Sequence, residues 1–135
     1  MIKKITLLAV FTLLPFFGFS QSNGCEHLKN GTFKVTDPAS KKVCIIKRDG
    51  NVQTERMEES SETYDFDLAW IDDCTYTLSP TAGTLSRNSS VAKAGIMTVR
   101  IINAKDSTYT QKVTVSTNKK FRRIDQVTMI KDRKQ

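Results

Sequence analysis

Thr63–Ser79, TYDFDLAWIDDCTYTLS, constrains this chain more than any other stretch. In its first half Tyr64, Phe66, Leu68 and Trp70 alternate with Asp65, Asp67 and Ala69. A strand turns successive side chains to opposite faces, so a period of two describes one buried face and one wet face. Asp72-Asp73 then supplies a short polar pair suited to a tight turn. Beyond it Cys74, Tyr76 and Leu78 alternate with Thr75, Thr77 and Ser79, so a second strand is expected to fold back on the first. The hairpin holds the only Trp and two of the three Tyr, and it reads as one wall of a β-core.

The remaining chain repeats this grammar. Gly31–Thr36, Lys42–Arg48, Asn51–Met57, Gly95–Ala104, Thr108–Thr117 and Phe121–Ile130 each read as a short strand bounded by turn-forming residues. Asp49-Gly50 is the strongest turn signal, and a two-residue type I′ loop there would pair Arg48 with Asn51. That register puts Cys44, Ile46 and Arg48 on one face with Asn51, Gln53 and Glu55. In the second of these runs past the Trp hairpin, Thr108–Thr117, Tyr109, Val113 and Val115 share a face. Ser79–Ala94 (SPTAGTLSRNSSVAKA) has few large apolar residues and is expected to be the one long, mobile loop. Cys25–Lys29 could form a single helical turn; no other stretch has helical periodicity. The expected class is all-β, an antiparallel meander of seven to eight strands. A small barrel, which closes its edges, is preferred over a half-barrel or a sandwich.

The ends of the chain speak to its compartment. Met1–Ser20 has a basic start at Lys3 and Lys4, an apolar stretch to Phe19 and small residues at Gly18 and Ser20, the pattern of a cleaved secretory signal. Pro15 and Gly18 break the apolar stretch, which is too short for a comfortable membrane span, so no transmembrane segment is expected after cleavage. Residues 21–135 then form a single β domain, exported to the periplasm or beyond. Charge is unevenly distributed along it. Between Glu55 and Asp73 acidic residues outnumber a lone Arg56, whereas Lys119, Lys120, Arg122, Arg123, Lys131, Arg133 and Lys134 make the C-terminal end basic.

Export also decides how Cys25, Cys44 and Cys74 are read. In an oxidising compartment a structural bridge is the default, and three thiols allow one bridge with one left over. Spacing does not select the pair. Cys25 precedes the first strand and Cys74 opens a hairpin arm, so a Cys25–Cys74 staple pinning the N-terminus is preferred. Cys44 lies within an apolar strand and is expected to be a buried thiol.

A Cys and G-x-F before the first strand, then R-x4-Q-x-E, then W-x3-C-x-Y-x-L, are carried here by Cys25, Gly31 and Phe33, by Arg48, Gln53 and Glu55, and by Trp70, Cys74, Tyr76 and Leu78. This pattern resembles a family of small exported bacterial β-proteins of unassigned function. Its members typically have one Cys at each end of the region, which suits Cys25–Cys74. Some are labelled as a topoisomerase subunit, an activity for which an exported chain of 135 residues is far too short. A G-x-F start followed by a meander is also similar to lipocalin-like barrels. The resemblance implies a fold and a compartment and supplies no mechanism.

Candidate chemistry is sparse. Arg48, Gln53 and Glu55 share a face and, with Trp70, are the candidate ligand-binding residues, an Arg anchoring a polar group and an aromatic flanking it. For the first three the plainer reading, an internal polar cluster or cross-strand pairs exposed to water, is preferred, and core packing is preferred for the aromatics. No metal and no cofactor are expected, because His27 is the only histidine and a site needs three or four ligands. The same shortage argues against a nucleophile–histidine enzyme. The basic C-terminal end could hold an anionic polymer. No specific nucleic acid is expected, since only Phe121 is near enough to stack. The expected function is therefore a non-catalytic binding module with a small-molecule ligand in or at the mouth of the barrel. The alternative is a surface interaction protein using the basic end, or the acidic hairpin face for a protein partner.

Overall fold

Alternating side chains along every run are satisfied at once by rolling the meander into a closed barrel. In the computed structural model, which describes residues 24–130, β1 (Gly31–Thr36), β2 (Val43–Asp49), β3 (Val52–Met57), β4 (Tyr64–Asp72), β5 (Thr75–Pro80), β6 (Met97–Ile102), β7 (Thr108–Val115) and β8 (Asn118–Ile130) pair antiparallel in chain order, and β8 closes on β1. The expected signal segment and the tail at 131–135 lie outside the described residues. Eight strands leave an interior just wide enough for side chains or one small ligand. The inward set includes Phe33, Ile46, Leu68, Leu78, Val99 and Val127, all buried.

Three local expectations are corrected. The β2–β3 loop is Gly50-Asn51 rather than Asp49-Gly50: Asp49 pairs with Val52 and Arg48 with Gln53. Only Gly50 of the two loop residues has positive φ, at +60°, which is the type II′ arrangement with Gly first. Asn30 Oδ1 accepts the Gly50 N–H at 2.9 Å and fixes this choice. The register moves by two residues, so Arg48, Gln53 and Glu55 keep their common face. At the Trp hairpin, Cys74 sits in the turn and β5 starts at Thr75; Trp70 pairs with Tyr76 and Asp72 with Thr75, leaving Ile71 as an exposed bulge.

The third correction concerns the stretch expected to be a mobile loop. It contains α1 (Ala82–Arg87) and a 3-10 helix, Ser89–Ala94. Thr81 Oγ1 caps α1 by accepting the Thr84 N–H at 3.2 Å, and Asn88 Oδ1 does the same for Ser90. Thr84 is buried, accepts the Asp65 N–H at 2.8 Å and donates to the Asp65 carbonyl at 3.0 Å, which docks α1 on β4. The far end is tied to the β7–β8 turn, where Thr117 Oγ1 donates to Lys93 O at 2.7 Å. Gly95, at φ +63°, has no room for a Cβ against Ser116. Short polar side chains without an apolar stripe make these helices by capping and docking, which periodicity does not report.

The two ends of the barrel differ. At one end a 3-10 turn, Glu26–Leu28, lies across the opening with Leu28 fully buried. The Cys25–Cys74 disulfide, with a Cα–Cα distance of 5.4 Å, fastens it to the β4–β5 turn. Lys29 adds Nζ contacts to Glu26 at 3.1 Å and Asp73 at 3.7 Å, and His27 Nε2 donates to the Lys105 carbonyl at 3.2 Å. The opposite end carries the β1–β2, β3–β4, β5–β6 and β7–β8 connections and opens into a cavity.

Candidate functional site

The closed end rests on Arg48. Parity sends its side chain inward from β2, one pair from the loop, where it is 1% exposed. Nε donates to Gln53 Oε1 at 2.9 Å, Nη1 to the Leu28 carbonyl at 2.9 Å, and Nη2 to the hydroxyls of Tyr76, at 2.7 Å, and Tyr109. The guanidinium carbon stands 4.4 Å from the Phe33 ring centroid and 4.9 Å from that of Tyr76. Among the described residues it has no ion pair. Burying a lone cation costs several kcal/mol, offset here by four charge-assisted hydrogen bonds and by aromatic faces. Burial pushes the phenols of Tyr76 and Tyr109 upward, and this outweighs the pull of Arg48, so both stay neutral. The arrangement is a floor, and its hydrogen bonds include one to the plug itself.

Above that floor the barrel encloses a cavity of about 490 Å³. Ile46, Leu78, Met97, Val99 and Val113 supply apolar walls, and Asp37, Lys42 and Phe121 stand at the mouth. Polar groups enter from two sides. On β3, Gln53 Nε2 donates to Glu55 Oε1 at 2.8 Å, so Glu55 is linked through Gln53 to Arg48. On β7 and β8, Gln111 pairs with Asp125 and Val113 with Arg123, so these side chains share the inward face. Gln111 Nε2 donates to Asp125 Oδ2 at 3.2 Å, and Arg123 Nε to Asp125 Oδ1 at 2.9 Å. Gln111 is 7% exposed, yet its Oε1 has no hydrogen-bond partner. A carboxylate only accepts, so the amide must keep its NH₂ toward Asp125, and exchanging its ends would not cure the orphan.

The electrostatics of the cavity follow from this geometry. Burial raises the Glu55 carboxyl above its usual range; the hydrogen bond from Gln53 and the charges of Arg48 and Arg123 oppose the shift, and Asp125 adds to it. Cys44, half-buried on the wall, is the free cysteine among the described residues. Burial, with the nearby Glu55, pushes its thiol up to about 11. It is therefore protonated at neutral pH and a poor nucleophile.

Of the four residues expected to bind ligand, Gln53 and Glu55 line the cavity. Arg48 is part of the floor, with four of its five N–H donors engaged by protein, and does not line the cavity. Trp70 is at the closed end, 4.8 Å from the Tyr76 ring and 5.1 Å from Lys29 Nζ, and takes no part in the cavity. Gln111 and Asp125 are polar cavity residues that sequence reasoning did not single out, and Arg123, expected to belong to the basic C-terminal end, lines the cavity with them. Gln111 falls between Tyr109 and Val113 on a face otherwise apolar, and that interruption was the available signal. Lys119, Lys120 and Arg122 are exposed on β8 outside the cavity. No protein-family model matches the chain, and neither does any curated protein or solved structure.

Proposed function

We propose that this protein is an exported binding module that holds a small ligand in the barrel cavity without acting on it chemically. The observation that carries the reading is the cavity itself: about 490 Å³, open at one end, walled by aliphatic side chains and set with a few polar groups, one of them unpaired. Ligand sites have this composition and fall in this range of size. A barrel built only for stability would close the space with side chains and leave no buried acceptor unmatched. The chain's only histidine is at the opposite end, bonded to Lys105, and the cavity thiol is held protonated, which favours binding over catalysis. The Cys25–Cys74 bridge is compatible with an oxidising compartment and so with export. Membership of the small exported β-protein family belongs to the same proposal.

Native mass spectrometry of the protein recovered from producing cells tests this reading. The expected result is a small-molecule adduct that is lost on denaturation and that a Val113→Trp variant, folded but with its cavity filled, does not retain. An adduct retained equally by Val113→Trp would place binding outside the cavity and overturn the proposal.

A further inference from the structure

We infer that the cavity takes a small organic cation, an ammonium group on an apolar body, with Glu55 and the Oε1 of Gln111 as its acceptors. This rests on reading the cavity as a ligand site and names the chemistry of what it holds. Two independent shortages in one cavity point the same way. Gln111 Oε1 is a buried acceptor lacking a donor, and it cannot be relieved by turning the amide over, because Asp125 holds the other end. Glu55 is a half-buried carboxylate with no ion pair among the described residues; its one hydrogen bond is from the neutral amide of Gln53. A buried acceptor without a donor costs about 1–3 kcal/mol, and an unpaired carboxylate costs more. A ligand that brings donors to both would relieve both costs at once.

Other head groups fit less well. A neutral hydroxyl would satisfy Gln111 and leave Glu55 without a direct ion-pair partner. An anion would need a free cation at depth, and among the basic residues that line the cavity Lys42 is exposed at the mouth and Arg56 donates to the carbonyls of Met57 and Glu58. Arg48 is engaged within the floor, while Arg123 is bonded to Asp125 and is 56% exposed at its side chain, against 10% for Asp125. An ammonium group has three donors and no acceptor, which matches Glu55, Gln111 Oε1 and the remaining acceptor capacity of Asp125. Ile46, Leu78, Val99 and Val113 then face an alkyl or aryl body.

Isothermal titration of the intact disulfide-bonded protein at neutral pH with octylamine, octanol and octanoate distinguishes these cases. The expected order is octylamine tightest, octanol about tenfold weaker and octanoate weakest. Glu55→Gln should weaken octylamine by about tenfold and leave octanol within about threefold, because the variant keeps the Gln53 contact and removes only the charge. Octanol or octanoate binding as tightly as octylamine, or an unchanged octylamine affinity in Glu55→Gln, overturns the cation assignment while leaving the cavity reading intact. If none of the three binds, or if all bind Val113→Trp as they bind the wild type, the cavity reading itself falls, and this assignment with it.

Discussion

Cutting the staple should cost the fold a calculable amount. The bridge joins residues 49 apart, and closing a loop of that length in the unfolded chain is worth about 4 kcal/mol at 25 °C on the chain-entropy model. A domain of this size has a total stability of roughly 5–15 kcal/mol, so the bridge accounts for a large share of it. In a Cys25→Ala/Cys74→Ala variant the unfolded chain regains this entropy. Cys25 is buried, but removing one sulfur adds only a small void at the plug. Urea unfolding followed by Trp70 fluorescence measures the loss at the end concerned, since Trp70 packs on Tyr76 beneath Lys29. The expected outcome is a fall of about 4 kcal/mol, with a slope at least as steep as the wild type because the unbridged chain unfolds to a more open state. The melting temperature should drop by roughly 15–30 °C, at about 4–8 °C per kcal/mol. Cys44→Ala, which leaves the bridge alone, serves as the control. A loss below about 1 kcal/mol in the double variant would refute the entropic account.

Three further outcomes follow from the interior groups. Arg48→Met should destabilise the protein by about 2–5 kcal/mol in urea, because Leu28 O and Gln53 Oε1 are each left buried without a donor at about 1–3 kcal/mol apiece. A variant as stable as the wild type would mean that relief from burying the cation cancels that cost. Glu55 has a raised carboxyl, so the stability linked to it is full below the ordinary value of 4.5 and is lost as pH rises through the elevated one. The groups facing it are Arg48, Arg123, Asp125, Cys44, Tyr76 and Tyr109. Stability measured against pH should therefore fall relative to Glu55→Gln above pH 4.5, and parallel curves would contradict the shift. Cys44, with its thiol near 11, should react with iodoacetamide at neutral pH far more slowly in the folded protein than in urea, and equal rates would show an exposed thiol instead.

Where the sequence was informative, it was because parity leaves no freedom. A strand with one buried face assigns every residue to a side, so the inward placement of Leu68, Tyr76 and Leu78 and the common face of Arg48 and Gln53 could be read directly, whereas parity alone did not say that the Arg48 face was the inner one. The same rule survives a register change of two, which is why the β2–β3 loop could be misplaced by one residue at each side without moving Glu55 off its face. The turn type was not readable from Asp49-Gly50-Asn51, because Asp-Gly and Gly-Asn are both good loops and the choice is made by Asn30, twenty residues upstream. Likewise α1 owes its existence to Thr84 docking on Asp65, a contact between elements distant in sequence. Local pattern cannot carry information that only tertiary partners supply.

The site was harder to read than the fold, and for a different reason. The pattern of Cys and G-x-F, R-x4-Q-x-E and W-x3-C-x-Y-x-L spans Cys25 to Leu78, and most of its residues build the closed end. Phe33 and Tyr76 flank Arg48, Gln53 relays it to Glu55, Trp70 packs on Tyr76, and Cys74 holds the plug. Such a motif identifies how a barrel is closed, whatever it carries. The groups that would choose a ligand, Gln111 and Asp125, come from β7 and β8, beyond the motif, and only Glu55 belongs to both sets. Floor and selectivity are thus written in different parts of the chain. Grafting Gln111→Leu and Asp125→Leu together should accordingly change what the cavity holds while the Arg48 floor, and with it the fold, stays in place. Circular dichroism and octylamine titration on that variant would show it: an unchanged spectrum with octanol now binding more tightly than octylamine supports the division, and loss of the barrel signal refutes it.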